Sequence, residues 1–224
     1  LQVVGVTEAV VNYLTNSIIT NRLAPGEKLN ENDLASQLNI SRAPIREAFR
    51  ILQSDHLIVW MPRRGVFVSD VSVEKLKELY SARKMIECHA IDVLKAKGIT
   101  KLPAMERSLA MAEEVSKPAG DDQDEIVAYL RALTEFHEHL VTATGNGWVS
   151  SFYDSIVTSL ARYQYYCLLV PGLPGNSHDM HVQIFDFLSE GAYEQAKQTL
   201  LAHIDYTVEF IEQHIQEPNK AVSR

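Results

Sequence analysis

The sequence predicts a mainly α-helical chain in two parts. Residues 1–72 form a winged helix-turn-helix, α-helical with a small β-ribbon, and residues 73–224 form an all-α helical bundle. Three observations predict this. Residues 26–68 read as a helix, a tight turn, a second helix and a β-ribbon. Beyond Ser72 no convincing strand pattern occurs, and the breaks there consist of turn and cap residues. A length of 224 residues with 46% hydrophobic content suits two modest domains, each able to bury its own core.

In the first part, Asn30 is placed to cap a helix whose apolar positions are Leu34, Ala35 and Leu38. Asn39 tolerates the left-handed conformation that a tight turn needs. Ser41 is then placed to cap a second helix, with Pro44 in its first turn, where a missing N–H costs nothing. Ile45, Ala48, Phe49 and Leu52 recur at i, i+3, i+4 and i+7 and give one buried stripe. From Leu57 the composition turns β-rich, through Ile58-Val59-Trp60 and Gly65-Val66-Phe67-Val68, with Pro62-Arg63-Arg64-Gly65 as the turn between.

Arg42 and Arg46 lie four apart near the start of the second helix, on a face other than the apolar one. Residues there reach base edges when such a helix enters the major groove. The planar arginine fork suits guanine O6 and N7, or a phosphate. Arg63, Arg64 and Gly65 give the ribbon a basic tip able to approach a sugar-phosphate chain closely. Net charge is −8, which at first argues against a DNA partner. Residues 1–73 nevertheless hold seven Lys/Arg and seven Asp/Glu, so the whole acidic excess falls in 74–224. Residues 42–64 carry five basic side chains against two acidic ones. The acidic second part is therefore expected to stand away from DNA.

In the second part, helices are predicted at about 72–97, 101–116, 122–144, 147–170, 177–189 and 192–215. The breaks are Gly98, Lys117 through Asp122, Gly145-Asn146-Gly147, Pro171 through Gly175, and Gly191. Cys88 and Cys167 show no metal or redox spacing and read as buried reduced thiols. No signal peptide or apolar run of transmembrane length is present, which points to a cytoplasmic protein and no membrane partner. Residue 1 is leucine rather than methionine, so the natural N-terminus is expected to lie further out. His137, His181 and His203 sit on or near the apolar sides of three different helices. Each alone reads as a core histidine; together they can converge inside a bundle, where metal sites are built.

The first part resembles the GntR family of bacterial transcription regulators over about residues 7–70. The resemblance is carried by Pro25-Gly26, Leu29, Leu34-Ala35, Leu38, Ile40-Ser41-Arg42, Pro44-Ile45-Arg46-Glu47-Ala48, and Arg64-Gly65 followed by Val68. It implies operator contacts from Arg42 and Arg46, helped by Ser41, Ala43 and Pro44, and a minor-groove contact from Arg64 and Gly65. Asn32 stands where some relatives carry a DNA-touching arginine.

Residues 75–215 resemble the FCD effector domain of the FadR-like subgroup, on Arg83-x-x-x-Glu87, Phe136-His137 followed by Gly145-Asn146, and His181-x-x-Ile184 followed by Gly191, Ala196 and His203. The resemblance implies a divalent metal on His137, His181 and His203. The aspartate that relatives carry four residues before the first histidine is replaced by Leu133. Three neutral imidazoles still suit Zn²⁺ or Ni²⁺ and leave a position for water or an anion. Arg83 and Arg162 are expected to line the same cavity as a carboxylate trap, with Tyr163 as a hydroxyl donor or packing residue.

The expected function is a homodimeric, ligand-responsive transcription regulator, with repression relieved by a small organic acid. It would bind a pseudo-palindromic double-stranded operator. A metal-dependent hydrolase using the three histidines is the enzymatic alternative. Glu135 and Glu138, however, lie about 200° and 100° around the helix from His137 and supply no companion base. A helical interaction module carrying a DNA-binding head is the third reading.

Overall fold

The computed structural model describes residues 5–115, 123–168 and 173–215. The chain divides into two compact units, Leu1–Val71 and Ser72–Arg224.

In the first unit, α1 (Val6–Ile19), α2 (Glu31–Gln37) and α3 (Arg42–Ser54) pack with a three-stranded antiparallel sheet. Its strands are β1 (Lys28–Leu29), β2 (Ile58–Met61) and β3 (Gly65–Val68), in the order β1-β3-β2. The predicted ribbon is β2 paired with β3, Trp60 opposite Val66 and Met61 opposite Gly65. The third strand, β1, sets Leu29 opposite Val66. One core joins Val10, Leu14 and Ile18 of α1 to Ile45, Phe49 and Leu52 of α3 and to Ile58, Val66 and Val68 of the sheet.

The predicted capping is half realised. The Asn30 side chain accepts from the Asn32 N–H at 2.9 Å and Asn39 takes φ 52°. Ser41 stands at the N-cap of α3 in extended conformation, but its hydroxyl makes no capping bond. The reason lies three residues on: an N-cap oxygen bonds the N–H of the second or third helical residue, and the third here is Pro44, which has none.

The second unit contains, among the described residues, α4 (Val73–Lys97), α5 (Pro103–Glu114), α6 (Gln123–Thr142), α7 (Gly147–Leu168), α8 (Leu173–Ser189) and α9 (Tyr193–Ile215), and no strand. Helix α4 packs against α6, α7 and α9, while α8 packs on α9. Ser72 caps α4 by accepting from Lys75 N–H at 3.2 Å, and Gly98 closes it at φ 62°. Helix α8 starts four residues earlier than expected. Pro174 falls within its first turn, where proline fits, so Leu173 to Gly175 is helix rather than turn. The break predicted at 117–122 lies outside the described residues, as does the Cys167 side chain. Cys88 is half-buried rather than buried. No described helix is long and apolar enough to cross a membrane.

Candidate functional site

Two groups of side chains stand out, one in each unit. In the first, Ser41, Arg42, Ala43 and Arg46 are exposed along the start of α3, with Pro44 half-buried beside them. Arg46 Nε donates to Glu31 Oε2 at 2.7 Å, and Arg42 Nη1 reaches Asn32 Oδ1 at 3.4 Å. A shallow concavity of about 440 Å³ is lined by Asn32, Ser36, Asn39, Ser41 and Arg42. At the wing, the Arg64 N–H donates to the Met61 carbonyl at 3.1 Å, closing a turn over Pro62 and Arg63. Arg63 has φ 64°, a left-handed conformation that side chains rarely adopt, and Gly65 follows at φ 107°. Arg64 stacks over Phe67 at 5.4 Å.

In the second unit, five helices bring a buried polar group together. His137 comes from α6, His181 from α8, His203 from α9, Arg83 and Glu87 from α4, and Tyr153 from α7; every one is buried. One ring nitrogen from each of the three histidines lies within 4.8 Å of those of the other two. His181 Nε2 is 2.8 Å from His137 Nε2 and 3.1 Å from His203 Nε2.

Glu87 fixes one of these rings. Its Oε2 accepts from His137 Nδ1 at 2.9 Å, and its Oε1 accepts from Arg83 Nε and the Tyr153 hydroxyl, each at 2.7 Å. Burial raises the Glu87 carboxyl, but the Arg83 guanidinium and then His137 outweigh it and hold the group well below the usual carboxylate range. Burial and Arg83 lower His137 in turn, so it bonds Glu87 as a neutral ring. With the proton on Nδ1, its Nε2 presents a lone pair to the other histidines. Burial and neighbouring positive groups hold His181 and His203 well below the ordinary imidazole value.

Three neutral rings cannot satisfy this geometry among themselves. His181 Nε2 faces two nitrogens, yet a ring nitrogen is either one donor or one acceptor. Three convergent lone pairs are instead the donor set that suits a divalent cation, and the carboxylate behind His137 is the support that such ligands commonly have. The residues present therefore fit a Zn²⁺- or Ni²⁺-class ion. A carboxylate ligand does not come from position 133: Leu133 packs with Ala112, Tyr129 and Ala132 in an apolar cluster.

Arg83 adds a buried cation to the group. Its Nε is bound to Glu87, while Nη1 and Nη2 are buried without a hydrogen-bond partner among the described residues, and the guanidinium lies 5.4 Å from the Tyr80 ring centroid. Such a guanidinium retains a bidentate edge for a carboxylate. Arg162 is buried on α7. The Tyr163 hydroxyl lies against the backbone of Ser72, 3.4 Å from its nitrogen and 3.3 Å from its oxygen, rather than standing free as a donor. Glu87 and Tyr153 are site residues that the spacing did not assign. For Glu87 the signal was present, since Arg83-x-x-x-Glu87 puts both side chains on one helix face. For Tyr153 nothing local gives one.

Comparison with known proteins supplies the context. Residues 6–68 match the gntR family of bacterial regulatory proteins, and residues 78–206 match the FCD domain. A Bacillus subtilis (strain 168) protein named as the HTH-type transcriptional regulator YdhC is 26% identical over 214 residues, covering 93% of this chain and 92% of its own. The HTH-type transcriptional repressor RspR of Escherichia coli (strain K12) is 23% identical over 215 residues, covering 95% and 91%. A GntR transcriptional regulator from Rhodococcus sp. RHA1, known by crystal structure, superposes with a TM-score of 0.74 at 25% identity, over 92% of this chain and 96% of that one. The relatives are transcription regulators, not enzymes.

Proposed function

From the premise that this chain belongs to the gntR family of bacterial regulatory proteins and carries an FCD domain, we propose that it is a metabolite-responsive repressor acting as a homodimer on a pseudo-palindromic operator. Helix α3 reads the major groove through Arg42 and Arg46, with Ser41, Ala43 and Pro44 at the contact and Asn32 beside it. Arg63, Arg64 and Gly65 follow the backbone or minor groove at the wing. Exposure of both arginines at the start of α3 supports this, as does the Ser41 hydroxyl left without a capping bond. The repressor sign follows the name of the relative RspR.

The effector is a small carboxylate received in the second unit. One observation carries this: the two outer nitrogens of Arg83 are buried and, among the described residues, unpartnered beside three histidines with convergent nitrogens. A buried donor left unmade costs roughly 1–3 kcal/mol, and an anion that satisfies two of them recovers it. His137, His181 and His203 would hold a divalent metal, which supplies a Lewis-acidic point for a carboxylate oxygen when bound. Arg83 orients the anion, and Glu87 keeps the His137 lone pair aimed inward. Regulation requires only that the effector bind the DNA-incompetent arrangement more tightly. A tenfold loss of operator affinity corresponds to about 1.4 kcal/mol of differential binding.

The test is fluorescence anisotropy on a duplex enriched by the protein from a random pool, titrated with mono- and dicarboxylates. At least one acid should lower operator affinity in wild type and fail to do so in Arg83→Met. An acid that acts equally on both proteins would remove Arg83 from the effector site.

A further inference from the structure

The arginines of α3 do not stand alone. Glu31 opens α2, where the helix N-terminus favours a carboxylate, and its side chain is only 20% exposed against 59% for Arg46. Its Oε2 takes the Nε–H of Arg46 at 2.7 Å. The next residue makes a looser contact on a different edge, Asn32 Oδ1 facing Arg42 Nη1 at 3.4 Å. The turn carrying both is fixed, since Asn30 Oδ1 bonds the Asn32 N–H. Two successive residues of α2 thus meet Arg42 and Arg46, two of the three arginines of α3.

The edge of the guanidinium that is used matters. Nε is the one nitrogen of the fork that points back toward the protein. A carboxylate held there leaves the Nη1/Nη2 edge uncommitted, and a planar five-donor group anchored on one edge offers the other in a defined plane. With Nε occupied, that outer edge is the one left to span guanine O6 and N7. Arginine carries a large rotamer entropy, so an arginine already held loses less on binding.

We infer that Glu31 is a positioning residue for sequence readout: it orients the Arg46 fork and so governs discrimination between operator and other DNA without touching a base. This rests on the reading of α3 as the recognition helix. Stability is not its purpose, because a pair this exposed contributes little to folding. Its charge also works against binding. An anion beside the DNA face repels phosphates and engages a cation, so simple electrostatics predicts that removing Glu31 tightens binding to every duplex. Positioning predicts the opposite for selectivity.

The experiment compares full-length wild type, Glu31→Ala, Glu31→Gln and Arg46→Ala. Each is titrated on a duplex enriched by wild type from a random pool, on its single-base-pair variants, and on a scrambled duplex, at one ionic strength. Arg46→Ala identifies the base pair read by that arginine, as the position where discrimination falls. At this base pair Glu31→Ala should lose roughly fivefold or more of the discrimination, within the range of one bidentate contact. Its affinity for the scrambled duplex should hold or rise. Glu31→Gln, which keeps an acceptor oxygen, should retain more of the discrimination. Uniform tightening of Glu31→Ala on all duplexes, with the ratio unchanged, would overturn the inference while leaving α3 as the reader. Discrimination unaffected by Arg46→Ala at every position would overturn both.

Discussion

Glu87→Gln is the perturbation whose effect follows most directly from the buried group of the second unit. Glu87 has no exposed surface and accepts from Arg83, Tyr153 and His137. Glutamine keeps one acceptor oxygen and turns the other into a donor, which then confronts the Nδ1–H of His137. The ring must change tautomer, which puts a proton on the nitrogen facing His181. Arg83, equally buried, loses its counter-charge. Breaking a buried pair from one side costs about 3–5 kcal/mol. At 2–4 °C per kcal/mol for a domain of this size, the melting temperature of metal-free protein should fall by roughly 6–20 °C. Thermal unfolding followed by far-ultraviolet circular dichroism reads this. The double variant Arg83→Met, Glu87→Leu should recover part of the loss, since replacing both charges with apolar groups removes the uncompensated ion. A melting temperature unchanged in Glu87→Gln, or a double variant less stable than the single one, would refute the reasoning.

Three further outcomes concern the histidines of the second unit and the wing of the first. His181→Ala should lower bound metal in elemental analysis of protein loaded with Zn²⁺ or Ni²⁺, and content equal to wild type would remove His181 from the ligand set. In chelator, stability of the helical unit should decline as pH falls from about 7.5 to 5.5. His181 and His203 stay neutral when folded but take up protons near pH 6.5 when unfolded, so each contributes a slope of up to about 1.4 kcal/mol per pH unit below that value. Denaturant titrations across the range measure it, and a slope that His203→Asn leaves unaltered would contradict the assignment. Arg63→Gly should leave the first unit as stable as before or up to about 1 kcal/mol more so, because glycine accepts the left-handed turn without penalty. The same change should reduce the salt slope of DNA binding by about one unit if that side chain meets a phosphate.

The helical periods of the sequence carried most of the fold. Ile45, Ala48, Phe49 and Leu52 defined α3 because the buried face repeats with the helix itself, and all four are in the core. Strand β1 escaped because Lys28 and Leu29 show no period; they become a strand only through pairing with Phe67 and Val66. The Ser41 cap failed for a local reason, the proline at the third helical position. The start of α8 was misjudged because Pro174 and Gly175 read as breakers, although the first turn of a helix accepts both. The site was partly legible. The three histidines were recognisable by resemblance and by helix face, but their approach depends on how α6, α8 and α9 pack, which no spacing within one helix encodes. Arg83 and Glu87 share a helix face at i, i+4, which is equally the pattern of a solvated surface pair; only packing against α6, α7 and α9 turned it inward. Tyr153 reaches Glu87 across 66 positions of sequence, a separation that periodicity cannot bridge.

Selection of duplexes from a random pool by the full-length protein, beside its Arg42→Ala and Arg46→Ala variants, decides whether α3 reads DNA. Wild type should enrich a pseudo-palindromic sequence, and each variant should bind it more weakly by about 1–3 kcal/mol with relaxed preference at separate positions of each half-site. Enrichment of no sequence by folded wild type, or enrichment of one that both variants bind with undiminished affinity, would contradict that role for α3.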